Sequence, residues 1–420
     1  LVNKNLSFQL YKYYVDWASQ HGIEYMTLDA GWSEDYIRTL CLYAKQKNVK
    51  ILVWTWASCV RENPQDWIKK MKDYGVSGAK IDFFERSDQI AMRWGREFAQ
   101  RLADNQMVAL FHGCPVPTGI NRTYPNILNF EAVRGAECNF WESTLTPEYH
   151  TQFPFIRSLA GPEDYTPGSM RNVTQEEFKP IDKDNTPPMS MGTRAHELSM
   201  YVIYDQWVGY LCDSPTEYNK YPDILSFLST VPTIWDKTVP LDAKLGDYIL
   251  MAKQKGKDWY VGGMTDWTPR TVEIDFSFLE AGASYQADIF KDTPASGEQP
   301  KEYVCEKMEI TKDTKLSINM AKGGGFTIRL LHSSGSGIAK VNQENPLTVY
   351  VEKESDTLHV KTKKIIEAVK INNISGQVLF AKNFKDGSYS EQIDLSGFNR
   401  GVYVVSVKTE AALASTTFIY

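Results

Sequence analysis

The residues Lys80-Ile81-Asp82-Phe83-Phe84 lie in a largely apolar part of the sequence. Its pattern predicts a buried strand over Gly78 to Phe83. Apolar spacing predicts a helix on each side of this strand, over Asn63 to Tyr74 and over Asp88 to Asp104. A strand between two helices of this length is typical of a βαβ unit with parallel strands. Two charged side chains, those of Lys80 and Asp82, therefore lie near the end of a strand whose other residues are suited to a buried core.

The same alternation of helices and strands extends along the chain on both sides. Further strands are predicted over Ile23 to Leu28, Val49 to Trp54 and Met107 to Phe111, and another ends near Glu131. Further helices are predicted over Leu6 to His21, Asp35 to Lys47 and Thr193 to Gln206, with a short strand, Val208 to Cys212, after the last of them. Successive βα units indicate a parallel sheet, either a barrel or an open doubly wound sheet.

Polar or aromatic residues at the end of strand after strand favour the barrel. A (β/α)8 barrel builds its site from many strand ends, whereas a doubly wound sheet concentrates it at one switch point. The sequence has no GxGxxG loop to support a nucleotide fold. We therefore predict an α/β fold with a (β/α)8 TIM barrel over residues 1–244. The residues at the strand ends are Asp29, Trp32, Trp54, Trp56, Asp82, His112 and Glu131.

The first and last parts of the chain depart from this barrel pattern. The chain opens with Leu1 and enters a helix almost at once, so we expect the barrel to lack its first strand through N-terminal truncation. Beyond residue 245 short strand-like runs predict a small antiparallel β-sandwich over residues 245–332. A Ser/Gly stretch places a linker at residues 333–345, and residues 346–420 are predicted to form a compact all-β module.

Composition excludes several classes of function. The 46 Lys and Arg against 52 Asp and Glu give a net charge of -6, without the basic surface that nucleic acid requires. No apolar run is long enough to span a membrane. The six cysteines contain no CxxC pair, so neither a zinc site nor a disulfide framework is indicated, and most are expected to be buried thiols.

Carboxylates at strand ends are the candidates for catalysis. Glycosidic bond cleavage needs two carboxyl groups, one to protonate the leaving oxygen and one to attack or to activate water. Asp82 is suited to attack, and Lys80, two residues before it on the same strand face, would keep it ionised. The alternative is a structural ion pair between Lys80 and Asp82.

Glu131 and Glu137 lie at the end of a later strand and in the loop after it. A general acid needs a raised pKa, which a neighbouring carboxylate can provide. Two converging carboxylates would equally suit a hard cation such as calcium. The remaining alternative is a pair of solvated loop acids. Of the other strand-end residues, His112, Trp54 and Trp56 are candidates for sugar contacts or, alternatively, for simple packing.

Several motifs in fixed order resemble glycoside hydrolase family 97, over about residues 5–332. They are Gly22-Ile23-Glu24-Tyr25 to Leu28-Asp29-Ala30-Gly31-Trp32, Lys80-Ile81-Asp82-Phe83-Phe84, Pro117-Thr118-Gly119 through Arg122-Thr123-Tyr124-Pro125-Asn126 to Glu137, Gly161-Pro162-Glu163-Asp164-Tyr165-Thr166-Pro167-Gly168, Thr193-Arg194-Ala195-His196-Glu197-Leu198 and Asp213-Ser214-Pro215. The family contains inverting α-glucosidases and retaining α-galactosidases. Its retaining members carry an Asp at the end of the fourth barrel strand, as Asp82 is placed here, and an inverting base would fall near Gly113.

This resemblance implies roles for individual residues. Asp82 would be the nucleophile, Glu137 the acid/base, and Glu131 with Glu137 calcium ligands. Substrate contacts are expected from the strand-end residues. We expect the family's N-terminal β-sandwich, which supplies another calcium ligand, to be missing through the same truncation, and with it part of the calcium site. The substrate-binding candidates are Asp29, Trp32, Trp54, Lys80 and His112.

The last module resembles the C-terminal sorting module of the type IX secretion system of Bacteroidetes. The residues that carry this likeness are Ile374-Ser375-Gly376-Gln377-Val378, Leu395-Ser396-Gly397 and Arg400-Gly401-Val402-Tyr403. The likeness implies the secretion machinery as a partner and a secreted or cell-surface location, with the periplasm as the alternative. The whole sequence thus predicts a retaining, exo-acting α-galactosidase that cleaves terminal α-galactosides of oligosaccharides. The alternatives are an α-glucosidase of the same family and an inactive carbohydrate-binding fragment.

Overall fold

Alternating helices and strands occupy the first part of the chain in a computed structural model, which describes residues 6–180, 188–333, 347–352, 355–373, 377–410 and 413–420. The chain divides into two units, Leu1–Ser333 and Ser334–Tyr420. The predicted linker lies outside the described residues except for Ser333, and so do residues 374–376 of the sorting motif.

Five parallel strands form one sheet in chain order. They are β1 (Tyr25–Leu28), β2 (Lys50–Trp56), β3 (Gly78–Asp82), β4 (Val108–Phe111) and β5 (Ile127–Phe130). Helix α1 (Phe8–Gln20) precedes the first strand, and the helices between the strands are α2 (Glu34–Gln46), α3 (Ala57–Glu62), α4 (Pro64–Tyr74), α5 (Gln89–Asp104) and α6 (Ile120–Thr123). The predicted βα alternation is confirmed, and the sheet is consistent with part of a TIM barrel.

Local sequence explains where these helices begin and end. The hydroxyl of Ser7 accepts a hydrogen bond from the Leu10 N–H at the start of α1, and the Asp88 carboxylate caps α5 in the same way. Gly75 ends α4 with a φ of 90°, in the left-handed region that glycine adopts without strain. The apolar faces of the helices and the buried side chains of the strands share one core. Because the five strands are parallel, their C-terminal ends all lie at the same edge of the sheet.

The rest of the predicted barrel is less regular. After the 3-10 turn Ala136–Phe140 come α7 (Pro147–Ile156), the 3-10 turn Ser158–Ala160, the short pair β6 (Asn172–Val173) and β7 (Ser190–Met191), α8 (Arg194–Ile203), α9 (Pro215–Tyr218) and α10 (Pro222–Leu228). One isolated parallel bridge joins Phe130 to Glu163. The prediction of a strand over Val208 to Cys212 is wrong. The Asn129 side chain donates to the Val208 carbonyl and accepts from the Val208 N–H, so a side chain takes the place of a neighbouring strand.

The antiparallel region follows directly. Its strands are β8 (Lys237–Lys244), β9 (Tyr248–Lys255), β10 (Asp258–Thr265), β11 (Arg270–Asp275), β12 (Ser284–Lys291), β13 (Val304–Thr311), β14 (Lys315–Met320) and β15 (Gly325–His332). Six of them pair in the order β13-β12-β15-β10-β9-β8, and β11 pairs with β14.

The predicted boundary at residue 244 is displaced by one strand, because β8 pairs with β9 in this sheet and not with the parallel one. Most of β8 is exposed at the sheet edge, so its sequence carries little of the apolar alternation that reveals a strand. The helix α8 is buried along its whole length and packs against β9, β10 and β15. Its residues Leu198 and Val202 also share a hydrophobic cluster with Trp17 of α1, so α8 links the two regions within one unit.

Strands are the only regular secondary structure among the described residues of the second unit. They are β16 (Thr348–Glu352), β17 (Thr357–Asn373), β18 (Val378–Asp394), β19 (Val402–Thr409) and β20 (Leu413–Ile419), all antiparallel. The predicted all-β module is confirmed, although one long strand, β17, replaces two shorter predicted ones.

The expectation of mostly buried thiols is wrong, because only Cys41 of the six free cysteines is buried. Among the described residues, no helix is both long and apolar enough to cross a membrane.

Candidate active site

The candidate site residues lie at the edge where β1 to β5 end. Strand register pairs Trp54 of β2 with Lys80 of β3, and Trp56 with Asp82. Residues two apart on a strand point to the same face, so these four side chains form two layers of one surface. The layer of Trp56 and Asp82 is nearer the strand ends, and therefore nearer solvent.

Asp82 is held in place by two N–H donors. Its Oδ2 accepts a hydrogen bond of 2.8 Å from the indole Nε1 of Trp54, and its Oδ1 accepts one of 2.6 Å from the backbone N–H of Phe83. Only 8% of the residue is exposed. These bonds fix the orientation of the carboxylate at the strand end.

The sequence predicts that Lys80 interacts with Asp82. In the structure Lys80 pairs with Asp29 instead. Its Nζ lies 3.1 Å from Oδ2 of Asp29, across the intervening strand β2. Burial alone would lower the pKa of Lys80, but the charges of Asp29 and Asp164 raise it above its usual range. Lys80 is therefore a buried cation, whereas the Asp29 side chain is 62% exposed at the rim.

His112 connects three carboxylates. Its Nε2 lies 3.0 Å from Oδ2 of Asp164, and its Nδ1 lies 3.3 Å from Oε2 of Glu131 and 4.0 Å from Oδ2 of Asp82. Burial disfavours a charged ring, but the hydrogen bond to Asp164 and the charges of Asp164 and Glu131 outweigh it and raise the pKa of His112. The ring thus orders the acidic groups around Asp82.

Glu131 and Glu137 converge at the same place. Glu131 Oε2 accepts a 2.6 Å hydrogen bond from the Gly113 N–H. Burial, to which the charges of Glu137 and Asp82 add, raises the pKa of Glu131 to about 7. Ligand atoms of His112, Glu131 and Glu137 all lie within 4.8 Å of one another, a spacing that a metal ion could bridge. Glu137 is exposed, on the 3-10 turn that follows β5.

Trp32, also predicted to contact substrate, lies behind Trp54. Its indole Nε1 donates a 2.8 Å hydrogen bond to the Trp54 carbonyl, and its ring packs on the core. Trp32 thus supports the residue that holds Asp82. The structure brings all the predicted site residues to one edge of the sheet, with Trp32 one layer behind the others.

Asp164 is a site residue that sequence reasoning did not select. It is 2% exposed and lies beside the isolated bridge of Glu163, within a segment that has no strand-like apolar pattern. The only available signal was its position in the Gly161 to Gly168 motif. A buried acid that is bonded to His112 is visible only once β4 and this segment are brought together.

Carboxylates gathered at the C-terminal edge of a parallel sheet are the arrangement of barrel glycoside hydrolases. Residues 2–133 match the family model described as glycoside hydrolase 97, and residues 234–331 match the glycosyl-hydrolase 97 C-terminal, oligomerisation model. The chain belongs to glycoside hydrolase family 97. Residues 348–420 match the secretion system C-terminal sorting domain.

Similar proteins agree with this family. A retaining alpha-galactosidase from Bacteroides thetaiotaomicron is 39% identical over 334 residues, which are 76% of this chain and 50% of that protein. A probable retaining alpha-galactosidase from Streptomyces bingchenggensis is 27% identical over 343 residues, 78% of this chain and 50% of that protein. The chain thus spans about half the length of these curated relatives.

A solved structure shows the same fold. A family 97 enzyme from a Pseudoalteromonas species, in complex with panose, superposes with a TM-score of 0.70 at 26% identity. The match covers 78% of this chain and 56% of that one.

Proposed function

We propose that this chain carries the active site of a retaining, exo-acting α-glycosidase that hydrolyses terminal α-galactosides of oligosaccharides. The observation that carries the proposal is Asp82, a buried carboxylate oriented by two N–H donors at the end of a parallel strand. The names of the similar proteins favour galactose as the sugar. The five parallel strands are taken as part of a (β/α)8 barrel.

The mechanism is a double displacement. A carboxylate oxygen of Asp82 attacks the anomeric carbon, and Glu137 gives its proton to the departing oxygen, so that a glycosyl ester forms and the leaving sugar departs as an alcohol. Glu137 then takes a proton from water, whose oxygen attacks the anomeric carbon and releases Asp82. The exposure of Glu137 supports this role, because the second step needs water beside it.

Gly113 supports retention on steric grounds. An added Cβ at this position would lie 2.8 Å from Asp82 Oδ1 and 2.9 Å from the Phe83 N. A side chain that carries a second base at residue 113 is therefore incompatible with Asp82 in its present place. Next to Gly113, the site can therefore hold Asp82 as the nucleophile of a retaining enzyme. It has no room there for the water-activating base of an inverting enzyme.

The proposal includes a calcium ion held by Glu131 and Glu137. Their carboxylate oxygens suit a hard cation, whereas the third atom of the cluster, the imidazole nitrogen of His112, does not. Calcium takes about six to eight oxygen ligands, so these residues supply part of the set and water can supply more. Bound there, the ion would supply positive charge that polarises oxygen atoms of the substrate.

The proposal extends to how the terminal sugar is bound and to where the protein is exported. Lys80 and Asp29 present a buried cation and an exposed carboxylate, which suit the hydroxyl groups of one terminal sugar. The sorting-domain match supports secretion to the medium or the cell surface by a type IX pathway, with the secretion machinery as partner.

The function is tested by assaying para-nitrophenyl α-galactoside and α-glucoside side by side, with calcium and with EDTA. We expect preference for the galactoside, higher activity with calcium, and α-galactose as the first product seen by proton NMR. A β-configured first product, or preference for the glucoside, would contradict the proposal. Sugar binding without turnover would identify the chain as a carbohydrate-binding fragment.

A matched pair of glycines tests the crowding around Asp82. We expect Gly113→Ala to lower the free energy of unfolding by about 1–3 kcal/mol through strain and to reduce kcat at least about tenfold by displacing Asp82. Gly119→Ala is the control, because Gly119 also has a positive φ, of 84°, but no atom lies within 4 Å of its added Cβ. Chemical denaturation and initial rates are the measurements. Equal stability losses with unchanged kcat in both variants would refute the steric argument.

A further inference from the structure

We propose that Trp56 and Phe83, here called the aromatic ledge, bind the sugar on the leaving-group side of the cleaved bond. This inference rests on the proposed function, since it assigns a specificity role beside the same nucleophile. It concerns the side chains of Trp56 and Phe83, to which the family resemblance gives no role.

The two rings lie next to Asp82 for reasons of strand geometry. Trp56 is the cross-strand partner of Asp82, and Phe83 follows Asp82 in the chain. The rings of Trp56 and Phe83 stack with centroids 4.5 Å apart and planes 25° apart. Trp54 braces both from the side, with its ring edge-on at 5.4 Å from Trp56 and 6.2 Å from Phe83. The ledge is therefore a rigid surface that adjoins the nucleophile.

Both rings remain open to solvent. Trp56 is 45% exposed and Phe83 is 44% exposed, whereas the next residue, Phe84, is 3% exposed and packs in the core against Phe98 and Phe111. Leaving large aromatic surfaces in water forgoes the stabilisation that burial provides. Adjacent exposed aromatic rings at the mouth of a site are typical of ligand contacts.

The backbone is strained in a way that produces this exposure. Phe83 has a φ of 57°, which is uncommon for a bulky residue. Hydrogen bonds hold the turn on both sides, from the Phe83 N–H to Asp82 Oδ1 and from the Phe84 N–H to the Gly113 carbonyl. The turn points two consecutive phenylalanines in different directions, one into the core and one onto the ledge. Strain held this firmly beside a reactive carboxylate indicates a functional geometry.

The order of the layers indicates which sugar the ledge meets. Lys80 lies one layer deeper than Asp82, and the ledge lies level with Asp82, at the rim. An exo-acting site holds the terminal sugar in the deeper polar layer, so the rest of the substrate must extend outward past Asp82. The C–H faces of that second sugar are apolar and match a stacked aromatic surface, which binds flat ring-shaped groups.

The test compares two substrates that differ only in the leaving group, melibiose, which loses glucose, and α-galactosyl fluoride, which loses fluoride. We expect Trp56→Ala and Phe83→Asn to lower the ratio of kcat/KM for melibiose to kcat/KM for the fluoride at least about tenfold, mainly through KM for melibiose. Asparagine is chosen at residue 83 because it tolerates a positive φ.

Two controls separate the ledge from general damage. Tyr13→Ala removes a comparably exposed ring, 43% exposed, from helix α1 and should leave the ratio unchanged. Trp54→Phe keeps an aromatic ring beside the ledge but removes the hydrogen bond to Asp82, and it should lower kcat/KM for both substrates in parallel. An unchanged ratio in both ledge variants would overturn the ledge proposal alone. Failure of the unaltered protein to cleave α-galactosyl fluoride would instead overturn the proposed function.

Discussion

Replacing Asp82 with asparagine is expected to lower kcat for α-galactosides on the order of 10⁴-fold, with the fold retained. Asparagine has nearly the same shape as aspartate but cannot form the glycosyl ester, so the first displacement is lost. Its amide oxygen can still accept one of the two hydrogen bonds that Trp54 and Phe83 donate to the carboxylate. Initial rates and the circular dichroism spectrum are the measurements.

The covalent adduct gives a direct check on the same residue. A 2-fluoro galactosyl fluoride forms the ester and slows its hydrolysis, so the labelled peptide can be identified by mass spectrometry. We expect the label on the peptide that contains Asp82. In Asp82→Gly, added azide should restore turnover and give β-galactosyl azide, because the small anion enters from the face that Asp82 occupied. A label on another carboxylate, or α-galactosyl azide from this variant, would show that Asp82 is not the nucleophile.

Replacing Glu137 with glutamine is expected to lower kcat/KM for melibiose by about 10²- to 10⁴-fold, the range for loss of a general acid. The loss should be much smaller for 2,4-dinitrophenyl α-galactoside, whose leaving group departs without a proton. A plot of rate against leaving-group pKa should therefore be steeper for the variant than for the unaltered protein.

Glu131→Gln is the matched control, since Glu131 is the neighbouring carboxyl group with its own bonds to Gly113 and His112. If both residues hold calcium and only Glu137 transfers the proton, the Glu131 variant should lose activity equally with all leaving groups and regain part of it at high calcium. Leaving-group dependence in Glu131→Gln, but not in Glu137→Gln, would exchange the two roles.

Much of the parallel sheet was predictable because its signals are local. Helix caps such as Ser7 and Asp88, and the apolar spacing between them, depend only on residues a few positions apart. Val208 to Cys212 was mispredicted for the opposite reason. Its apolar residues suit a strand, but a strand forms only where a neighbour exists to pair with, and here the Asn129 side chain takes that place.

The residues of the candidate site were only partly accessible from the sequence. Asp82 and His112 stand out as polar residues at the ends of apolar strands, and parallel strands bring such ends together. Asp164 gave no such signal, because no regular strand precedes it.

By itself, the sequence determined the alternation of helices and strands, the all-β C-terminal module and the strand ends at which the site lies, since each depends on periodicity and composition over short stretches. Only the tertiary structure decided which of those residues meet. Lys80 pairs with Asp29, 51 residues away, and His112 binds Asp164, 52 residues away. Partners at such separations are chosen by strand register and by the competition of burial against charge, and both exist only after the chain has folded.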